Sequence, residues 1–282
     1  MEEFIKLSNV YFSYGRQSQE YVLKNISFDI KKGEKLAIVG ANGSGKSTLS
    51  KMLNAILIPS RGVIFVNGID SSRKETVLDI RQNVGLIFQD PDNQIVATIV
   101  EEDVAFALEN LCVSQEEIGK KVDLVLSLVE MVEFRKRSVE NLSGGQKSKV
   151  SIAGILAMNP NCIIFDESTA MLDPKSRQDI LKIMKELNEE KGTTVVNITH
   201  NMREVAFFDR VIVLKDGEIL RQDTPKNIFS DLELLKTAKL SLPQISELIS
   251  VLNKEGIVEE KVALSVDECV SILANLLKGG KI

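Results

Sequence analysis

The chain is poor in the residues that build metal centres and disulfide frameworks. It has one histidine and three cysteines, and Cys112, Cys162 and Cys269 are scattered, with no paired spacing. Structural zinc sites and small disulfide-rich folds require pairs or clusters of these residues. We therefore exclude both classes and expect all three cysteines to be reduced core residues of a cytosolic protein.

Long apolar runs and an excess of basic charge are also missing. Because there is no apolar run of about 18 residues and no signal peptide, we expect any membrane connection to come through a partner. The net charge of −5 offers no overall basic surface, and we expect no nucleic acid partner. An apolar share of 44% over 282 residues fits one globular domain plus a small extension.

A glycine-rich loop stands between an apolar run and the start of a helix. Residues 36–39 predict a buried parallel strand, and residues 40–48, the phosphate loop, read Gly-Ala-Asn-Gly-Ser-Gly-Lys-Ser-Thr. Such a loop aims backbone N–H groups and a helix N-terminus at one anion, with Lys46 at the β- and γ-phosphates and Ser47 on Mg²⁺. A glycine-rich turn with a chance Lys-Ser is the alternative, although strand, loop and helix follow in the required order. The predicted binding residues are Gly40, Asn42, Gly43, Ser44, Gly45, Lys46, Ser47 and Thr48.

Two carboxylates follow a second apolar run. Residues 162–165 predict a buried strand that ends at Asp166 and Glu167. Open α/β sheets bind ligands at the carboxyl ends of their strands. We expect Asp166 to hold Mg²⁺ through its water shell, and Glu167 to orient the attacking water or accept its proton. The alternative is a solvated strand end with two ordinary acids.

Three single residues complete the candidate site. His200 follows a predicted strand over residues 195–199 and could donate a hydrogen bond to the γ-phosphate, although a lone histidine is more often structural. Gln89 ends the apolar run 84–88 and could contact Mg²⁺ and the water. Tyr14 offers a π-face for adenine, or is simply a tyrosine on a sheet surface.

Residues 142–146, the signature segment, read Leu-Ser-Gly-Gly-Gln. Ser143 can cap a following helix, and Gly144 and Gly145 let backbone N–H groups approach an anion. Within one chain this would be a second phosphate site with no lysine. Across a two-fold axis the segment would face the partner's ATP, so that an isologous dimer carries two equivalent sites.

The order and spacing of these motifs resemble those of the nucleotide-binding domains of ATP-binding-cassette (ABC) proteins over residues 4–228. The resemblance implies an α/β P-loop NTPase fold with an antiparallel β-subdomain and an inserted helical subdomain at about residues 90–160. Residues 229–282 would form a small helical C-terminal extension, which either packs on the core or extends a contact between subunits.

The same resemblance implies a role for each motif residue. Tyr14 would stack on adenine, Gln89 would sense Mg²⁺ and the transmembrane partner, Glu167 would be the catalytic carboxylate and His200 the switch histidine. Residues of the signature segment would contact the γ-phosphate held by the opposite chain, and a further acid would lie at the dimer interface; these are Ser143, Gly144, Gly145, Gln146 and Asp173.

A closer resemblance is to the ATPase subunits of energy-coupling factor transporters, which import vitamins and transition metals. It is carried by residues 88–94, 97–98, 100–106 and 108–110, and residues 168–173 resemble the first of the two ATPase subunits of that family. Ser148 and Lys149 stand where glutamine and arginine are common.

This resemblance also implies cofactors, partners and a location. It implies ATP and Mg²⁺, a second ATPase subunit that is a different or an identical chain, a transmembrane coupling subunit and a membrane substrate-binding subunit. The location would be peripheral, on the cytoplasmic face of the cell membrane.

Local patterns predict the remaining elements. We expect strands over residues 4–32 with a loop near 14–20, a strand over 61–67 with a turn at Asn67-Gly68, a hairpin over 211–222, and helices over 100–135, 174–190, 243–254 and 265–277, the last stopped by Gly279-Gly280. Glu101, Glu102 and Asp103 either dock arginines of the transmembrane partner or simply favour a helix N-terminus.

Two other classes of function fit the chain less well than an importer subunit. A soluble ABC-type ATPase of DNA repair needs a long coiled coil, for which the interval between Lys46 and Leu142 is too short, and the translation type carries two cassettes. An ordinary P-loop kinase or GTPase leaves the signature segment unexplained, and the chain lacks an Asn-Lys-x-Asp guanine motif.

Overall fold

The computed structural model describes residues 2–15 and 20–277. The strands are β1 Glu3–Phe12, β2 Leu23–Lys31, β3 Lys35–Val39, β4 Arg61–Val66, β5 Ile69–Asp70, β6 Val84–Ile87, β7 Cys162–Asp166, β8 Thr194–Ile198, β9 Arg210–Lys215 and β10 Glu218–Asp223. The helices are α1 Lys46–Leu53, α2 Val77–Asn83, α3 Val100–Asn110, α4 Gln115–Leu128, α5 Gly144–Ala157, α6 Pro174–Lys191, α7 Met202–Val205, α8 Pro225–Ser230, α9 Leu232–Thr237, α10 Gln244–Lys254 and α11 Val266–Leu277.

The contacts between residues divide the chain into two compact units. The first unit comprises Met1–Lys35 and Ser47–Ile198, and the second comprises Leu36–Lys46 and Thr199–Ile282.

The first unit contains an antiparallel sheet with the strand order β2-β1-β4-β5. Buried and more exposed side chains alternate along parts of β1 and β2, as expected for strands with one face toward a core, and the alternation is interrupted where the register shifts, as between Leu7 and Val10. Asn67 and Gly68 both have positive φ, which is the backbone conformation of a type I′ hairpin turn between β4 and β5. The predicted strands and turn are confirmed, while the part of the predicted loop at residues 16–19 lies outside the described residues.

The first unit also contains the parallel strands β6, β7 and β8, with β7 between the other two. Every residue of these strands is buried, which is why the sequence shows continuous apolar runs here instead of alternation. Helix α6 follows β7, with Pro174 at its first position and Gly192 in the left-handed conformation at its end. The predicted strands and helix are confirmed.

The predicted helix over residues 100–135 is two helices, α3 and α4, followed by a short 3₁₀ turn at Val132–Phe134. The break falls at Cys112, which has a φ of 56° in the turn before the α4 cap, Ser114. Because this turn faces solvent, Cys112 is exposed, and its prediction as a core residue is wrong. Cys162 and Cys269 are buried as predicted.

In the second unit β3 pairs in parallel with β9, and β9 forms the predicted hairpin with β10. Helices α10 and α11 share a small apolar core, made by Ile249, Val258, Ala263, Cys269 and Ile272. The predicted cap of α11 is present, with the Glu268 N–H donating to Ser265 Oγ at 3.1 Å. The predicted stop at Gly279-Gly280 lies outside the described residues. Among residues 2–15 and 20–277, no helix has both the length and the apolarity to cross a bilayer.

Candidate active site

The second unit holds the first part of the phosphate loop, residues 40–46. Gly43 and Gly45 have φ of 81° and 101°, a region that L side chains rarely adopt. Gly40 is needed for a different reason, since a Cβ there would lie 2.2 Å from the Leu214 carbonyl oxygen. The backbone is closed by Ser44 N–H donating to Ala41 O and Gly217 N–H donating to Ser44 O, both at 3.1 Å. These glycines therefore allow the tight path that brings N–H groups together.

Two polar side chains lie buried in this loop. Lys46 Nζ donates to the carbonyl oxygens of Gly40 and Ala41 at 3.0 and 3.1 Å, so its ammonium folds back over the loop. Ser44 Oγ is buried and has no hydrogen-bond partner. A buried hydroxyl without a partner calls for an explanation, and a bound anion would supply an acceptor for it. The loop thus fits a phosphate group.

The first unit holds the oxygen ligands expected for a metal ion. Ser47 Oγ donates to Asp166 Oδ1 at 3.0 Å, and Ser50 Oγ donates to Asp166 Oδ2 at 2.7 Å. Burial raises the pKa of Asp166, although hydrogen bonds from Ser50 and Ser47 oppose that shift. Carboxylate and hydroxyl oxygens are the donors that Mg²⁺ takes in proteins, so this pair fits the ion.

Ser50 is a residue that the sequence analysis missed. It is fully buried on α1, three positions after Ser47, so both hydroxyls lie on the same helix face and reach one carboxylate. The sequence signal for this role is the i, i+3 spacing between Ser47 of the phosphate loop and Ser50.

Glu167 has an unusual backbone conformation directly after β7. Its φ is 50°, and its N–H donates to the carbonyl oxygen of Ile198 at 2.8 Å. Left-handed conformations of residues other than glycine cost energy and are concentrated at functional sites. The strain at this position is consistent with the catalytic role predicted from sequence.

Tyr14 lies beside the end of the phosphate loop. Its hydroxyl is 2.9 Å from Thr48 Oγ1, and its ring packs edge-on against Phe12 with centroids 4.9 Å apart. The side chain is nevertheless 65% exposed. These contacts fix the ring while leaving a face open, which suits stacking on a base.

The signature segment begins helix α5. Ser143 Oγ accepts a hydrogen bond from Gln146 N–H at 3.3 Å, and Gln146 Oε1 accepts one from Ser143 N–H at 2.9 Å. This reciprocal pair is a capping box, so the predicted cap is confirmed. Ser143 and Gly144 are exposed, and the helix N-terminus therefore faces outward.

The remaining predicted residues lie close to these elements in the chain. Gln89, after β6, lines a cavity of about 270 Å³ together with Gly144, Ser168 and Met171.

Asp173 caps α6, with Oδ1 accepting hydrogen bonds from the N–H groups of Lys175 and Ser176 at 3.0 and 3.1 Å. A hydrogen bond from the Ser176 side chain is the largest of the interactions that lower the pKa of Asp173. His200, in the second unit, is exposed and stands two residues after the end of β8.

Two of the three acids at the start of α3 have structural partners. Asp103 is buried, and its Oδ1 accepts from the N–H groups of Val96 and Ala97 at 2.7 and 3.1 Å. Glu101 Oε2 pairs with Arg135 Nε at 2.5 Å. Glu102 is the one acid of the three that is exposed, which makes it the residue of this group most accessible to a partner.

Comparisons with known proteins bear on the whole chain. The sequence profile of the family described as ABC transporter matches residues 23–170. The energy-coupling factor transporter ATP-binding protein EcfA1 of Clostridioides difficile is 49% identical and that of Clostridium novyi 47% identical; each match covers 98% of this chain, and 100% and 99% of the relative.

Solved structures agree with the sequence relatives. The structure of cbiO1 from Clostridium perfringens, described as part of the ABC transporter complex cbiONQ, has a TM-score of 0.76 and 36% identity, covering 88% of this chain and 100% of its own. A dimeric ATP-binding cassette in a post-hydrolysis state, bound to ADP and Pi, has a TM-score of 0.72 and 35% identity, covering 78% of this chain and 98% of its own.

Proposed function

From the premise that this chain belongs to the energy-coupling factor transporter ATP-binding proteins of the ABC transporter family, we propose which of its residues bind and hydrolyse ATP. The chain is an ATPase, and it is the ATP-hydrolysing subunit of an energy-coupling factor importer. The predicted α/β P-loop fold is confirmed by its structural neighbours. We assign the ATP-binding domain to residues 4–228 and the extension to residues 229–282.

The phosphate loop binds the β- and γ-phosphates of ATP. Its backbone N–H groups and Lys46 supply positive charge, the buried Ser44 hydroxyl gains an acceptor, and Tyr14 stacks on adenine. Ser47, Asp166 and Gln89 hold Mg²⁺, directly or through water. When bound, this ion neutralises negative charge on the β- and γ-phosphates.

The single observation that carries this proposal is the 3.0 Å hydrogen bond from Ser47 Oγ to Asp166 Oδ1. It joins the end of the phosphate loop to a carboxylate that lies 119 positions later in the chain. If the glycine-rich segment were an ordinary turn, we would not expect its serine hydroxyl to bind a buried carboxylate at the end of a strand.

Hydrolysis requires a water molecule in line with the γ-phosphate. Glu167 orients this water and accepts its proton, and Gln89 and His200 contact the water and the γ-phosphate. The backbone of Glu167 is left-handed, so the β-strand geometry of β7 does not continue through this residue. Its carboxylate therefore leaves the chain in a different direction from a side chain of the strand.

The second ATP-binding surface comes from another chain. The chain dimerises with an ATPase subunit and works with membrane partners. We propose that the N-terminus of α5, at which Ser143 and Gly144 are exposed, contacts the γ-phosphate held by the partner through Ser143, Gly144, Gly145 and Gln146, and that Asp173 lies at that interface. We propose that this ATPase partner is a different chain, so that the two form a heterodimer. The alternative is a homodimer of two identical chains.

The importer is completed by two kinds of membrane subunit. We propose that a transmembrane coupling subunit docks near Gln89 and Glu102, and that a separate membrane subunit binds a vitamin or a transition metal. The chain then lies on the cytoplasmic face of the membrane as a peripheral subunit.

Affinity purification from detergent-solubilised membranes tests this assembly. We expect a tagged chain to bring down an ATPase subunit together with two kinds of integral membrane protein, and native mass spectrometry to give their ratio. Recovery of the chain with no membrane protein would instead support a soluble ABC-type ATPase, and recovery with a different set of permeases another ABC importer. A Glu102→Arg variant, compared with Glu109→Arg at another exposed position of the same helix, tests the docking residue.

A further inference from the structure

Helices α5 and α6 of the first unit touch at two places one helical turn apart. At the first, a Cβ on Gly145 would lie 2.2 Å from Ser176 Oγ and 2.7 Å from Ser176 Cβ. At the second, Lys149 Nζ lies 2.9 Å from Asp179 Oδ2. Residues separated by three or four positions share one face of a helix, so both contacts belong to a single seam. We call these two contacts the α5–α6 latch.

The latch lies next to the two segments that face the partner subunit. Gly145 belongs to the signature segment, and Ser176 Oγ donates to Asp173 Oδ2 at 2.6 Å. Asp173 in turn caps α6 through the N–H groups of Lys175 and Ser176. A continuous set of contacts therefore joins the start of α5 to the start of α6.

Lys149 places a charged side chain at a largely buried contact between two helices, where apolar side chains are more common. The residue is only 9% exposed, and a buried ammonium group is costly unless it is paired. Asp179 supplies the closer carboxylate, while Glu130, whose side chain is 69% exposed, approaches only to 3.4 Å. The side chain of Asp179 is 32% exposed, so the pair is only partly desolvated. Because the ammonium finds its nearest carboxylate at one place on α6, the pair favours one relative position of the two helices.

We propose that Lys149 and Asp179 are positioning residues that hold the signature segment and Asp173 as one rigid surface against the partner's ATP. This inference rests on the proposed function, because it requires ATP to be bound between two chains. Lys149 pairs with Asp179 and Glu130, none of which belongs to the chain's own phosphate loop. Loss of the latch should therefore impair turnover and dimer closure without changing binding of ATP to the chain itself.

Steady-state kinetics and nucleotide titration of the purified full-length complex provide the first test. We expect Lys149→Met and Asp179→Asn each to lower kcat by roughly 10- to 100-fold, since small misplacements of a catalytic surface have effects of that size. The double variant should be no worse than either single variant. The dissociation constant for ATP, measured by calorimetry in the presence of EDTA, should stay within about twofold of the wild-type value, well below the effect on kcat.

Two matched variants separate positioning from general stability. Lys149→Arg keeps a cation that can bind Asp179 and should retain turnover, and Glu130→Gln removes only the exposed acid and should behave as wild type. Wild-type kcat in both Lys149→Met and Asp179→Asn would overturn the inference, as would additive losses in the double variant. Using two single variants on different helices keeps the test decisive if one of them fails to fold.

A dimerisation assay separates failure of this inference from failure of the proposed function. In a Glu167→Gln background, ATP should drive dimer formation, and adding Lys149→Met should raise the ATP or chain concentration needed for it. If the Glu167→Gln protein never dimerises with ATP, the proposed shared site is wrong. If it dimerises and Lys149→Met makes no difference, only the latch is wrong.

Discussion

At the scale of single residues, the site combines groups that are costly to bury. Asp166 is 4% exposed, and burial is the main reason why its pKa is raised. In the unfolded chain an aspartate carboxyl has a pKa of about 3.9. The folded chain without metal therefore carries a poorly solvated charge whenever the pH lies above the raised pKa, which lowers stability there.

Asp166→Asn tests this conflict between stability and function. The amide has no charge, so at neutral pH and without Mg²⁺ we expect the variant to have a higher Tm than the wild type. That advantage should shrink as the pH falls through the raised pKa and disappear below the unfolded value, since Asp166 is then protonated in both states. Mg²⁺-dependent ATP hydrolysis should be lost. A lower Tm at neutral pH in the metal-free variant would contradict this interpretation.

Ser50→Ala tests the residue that sequence patterns did not reveal. The variant loses a 2.7 Å hydrogen bond to a buried carboxylate, and bonds to charged groups contribute about 1.5–3 kcal/mol to the free energy of unfolding. Chemical denaturation measures that loss of stability. We also expect the ATPase activity of the variant to increase less steeply with Mg²⁺ concentration than that of the wild type.

Ser271→Ala is the control for Ser50→Ala. Ser50 Oγ also lies 2.9 Å from the carbonyl oxygen of Ser47 in its own helix. Ser271 likewise donates to a carbonyl of its own helix, Asp267 O at 2.8 Å, but it is exposed, has no carboxylate partner among the described contacts and is distant in sequence from the site. We expect little change in stability or activity. Equal losses in the two variants would mean that the bond to Asp166 has no special weight.

At the scale of elements, local chemistry explains most of the fold that the sequence predicted. The hairpin turns at Asn67-Gly68 and Asp216-Gly217 need positive φ, which these residue pairs supply. Fully buried strands such as β7 appear as apolar runs, and α6 has a proline at its start and a glycine at its end. These signals lie within a few residues of the structure they specify.

Contacts between distant parts of the chain could not be predicted in this way. Ser50 meets Asp166 across 116 positions, and Lys149 meets Asp179 on a different helix. Asp103 looked like an acid at a helix N-terminus, yet it is buried because it binds the preceding loop. Helical periodicity also ran through Cys112, where a left-handed residue ends α3 and exposes the thiol. Each of these outcomes depends on tertiary packing.

Two glycine variants with opposite expected effects test the helix assignments. Gly192 ends α6 with a φ of 66°, so Gly192→Ala should destabilise the protein by about 1 kcal/mol. Gly119 lies within α4 with open space around the position of a Cβ, so Gly119→Ala should stabilise it by about 0.5–1 kcal/mol. Thermal denaturation measures both, and effects of the same sign would contradict the assigned helix boundaries.

At the scale of the whole molecule, the chain has one phosphate loop and one signature segment, and in the proposed shared site each works with a partner chain. Glu167→Gln should keep ATP binding, lose nearly all turnover and accumulate dimers in the presence of ATP. Lys46→Ala should lose nucleotide affinity and hydrolysis together. Turnover like that of the wild type in Glu167→Gln would show that another group acts on the water.

The central claim is that one chain binds the triphosphate and a second chain completes the site. The most direct test is ATPase activity per chain across a dilution series, with molecular mass measured by light scattering in the same samples. We predict that activity falls in proportion to the fraction of chains in dimers and is absent from monomers. Full activity per chain in samples that contain only monomers would contradict the claim.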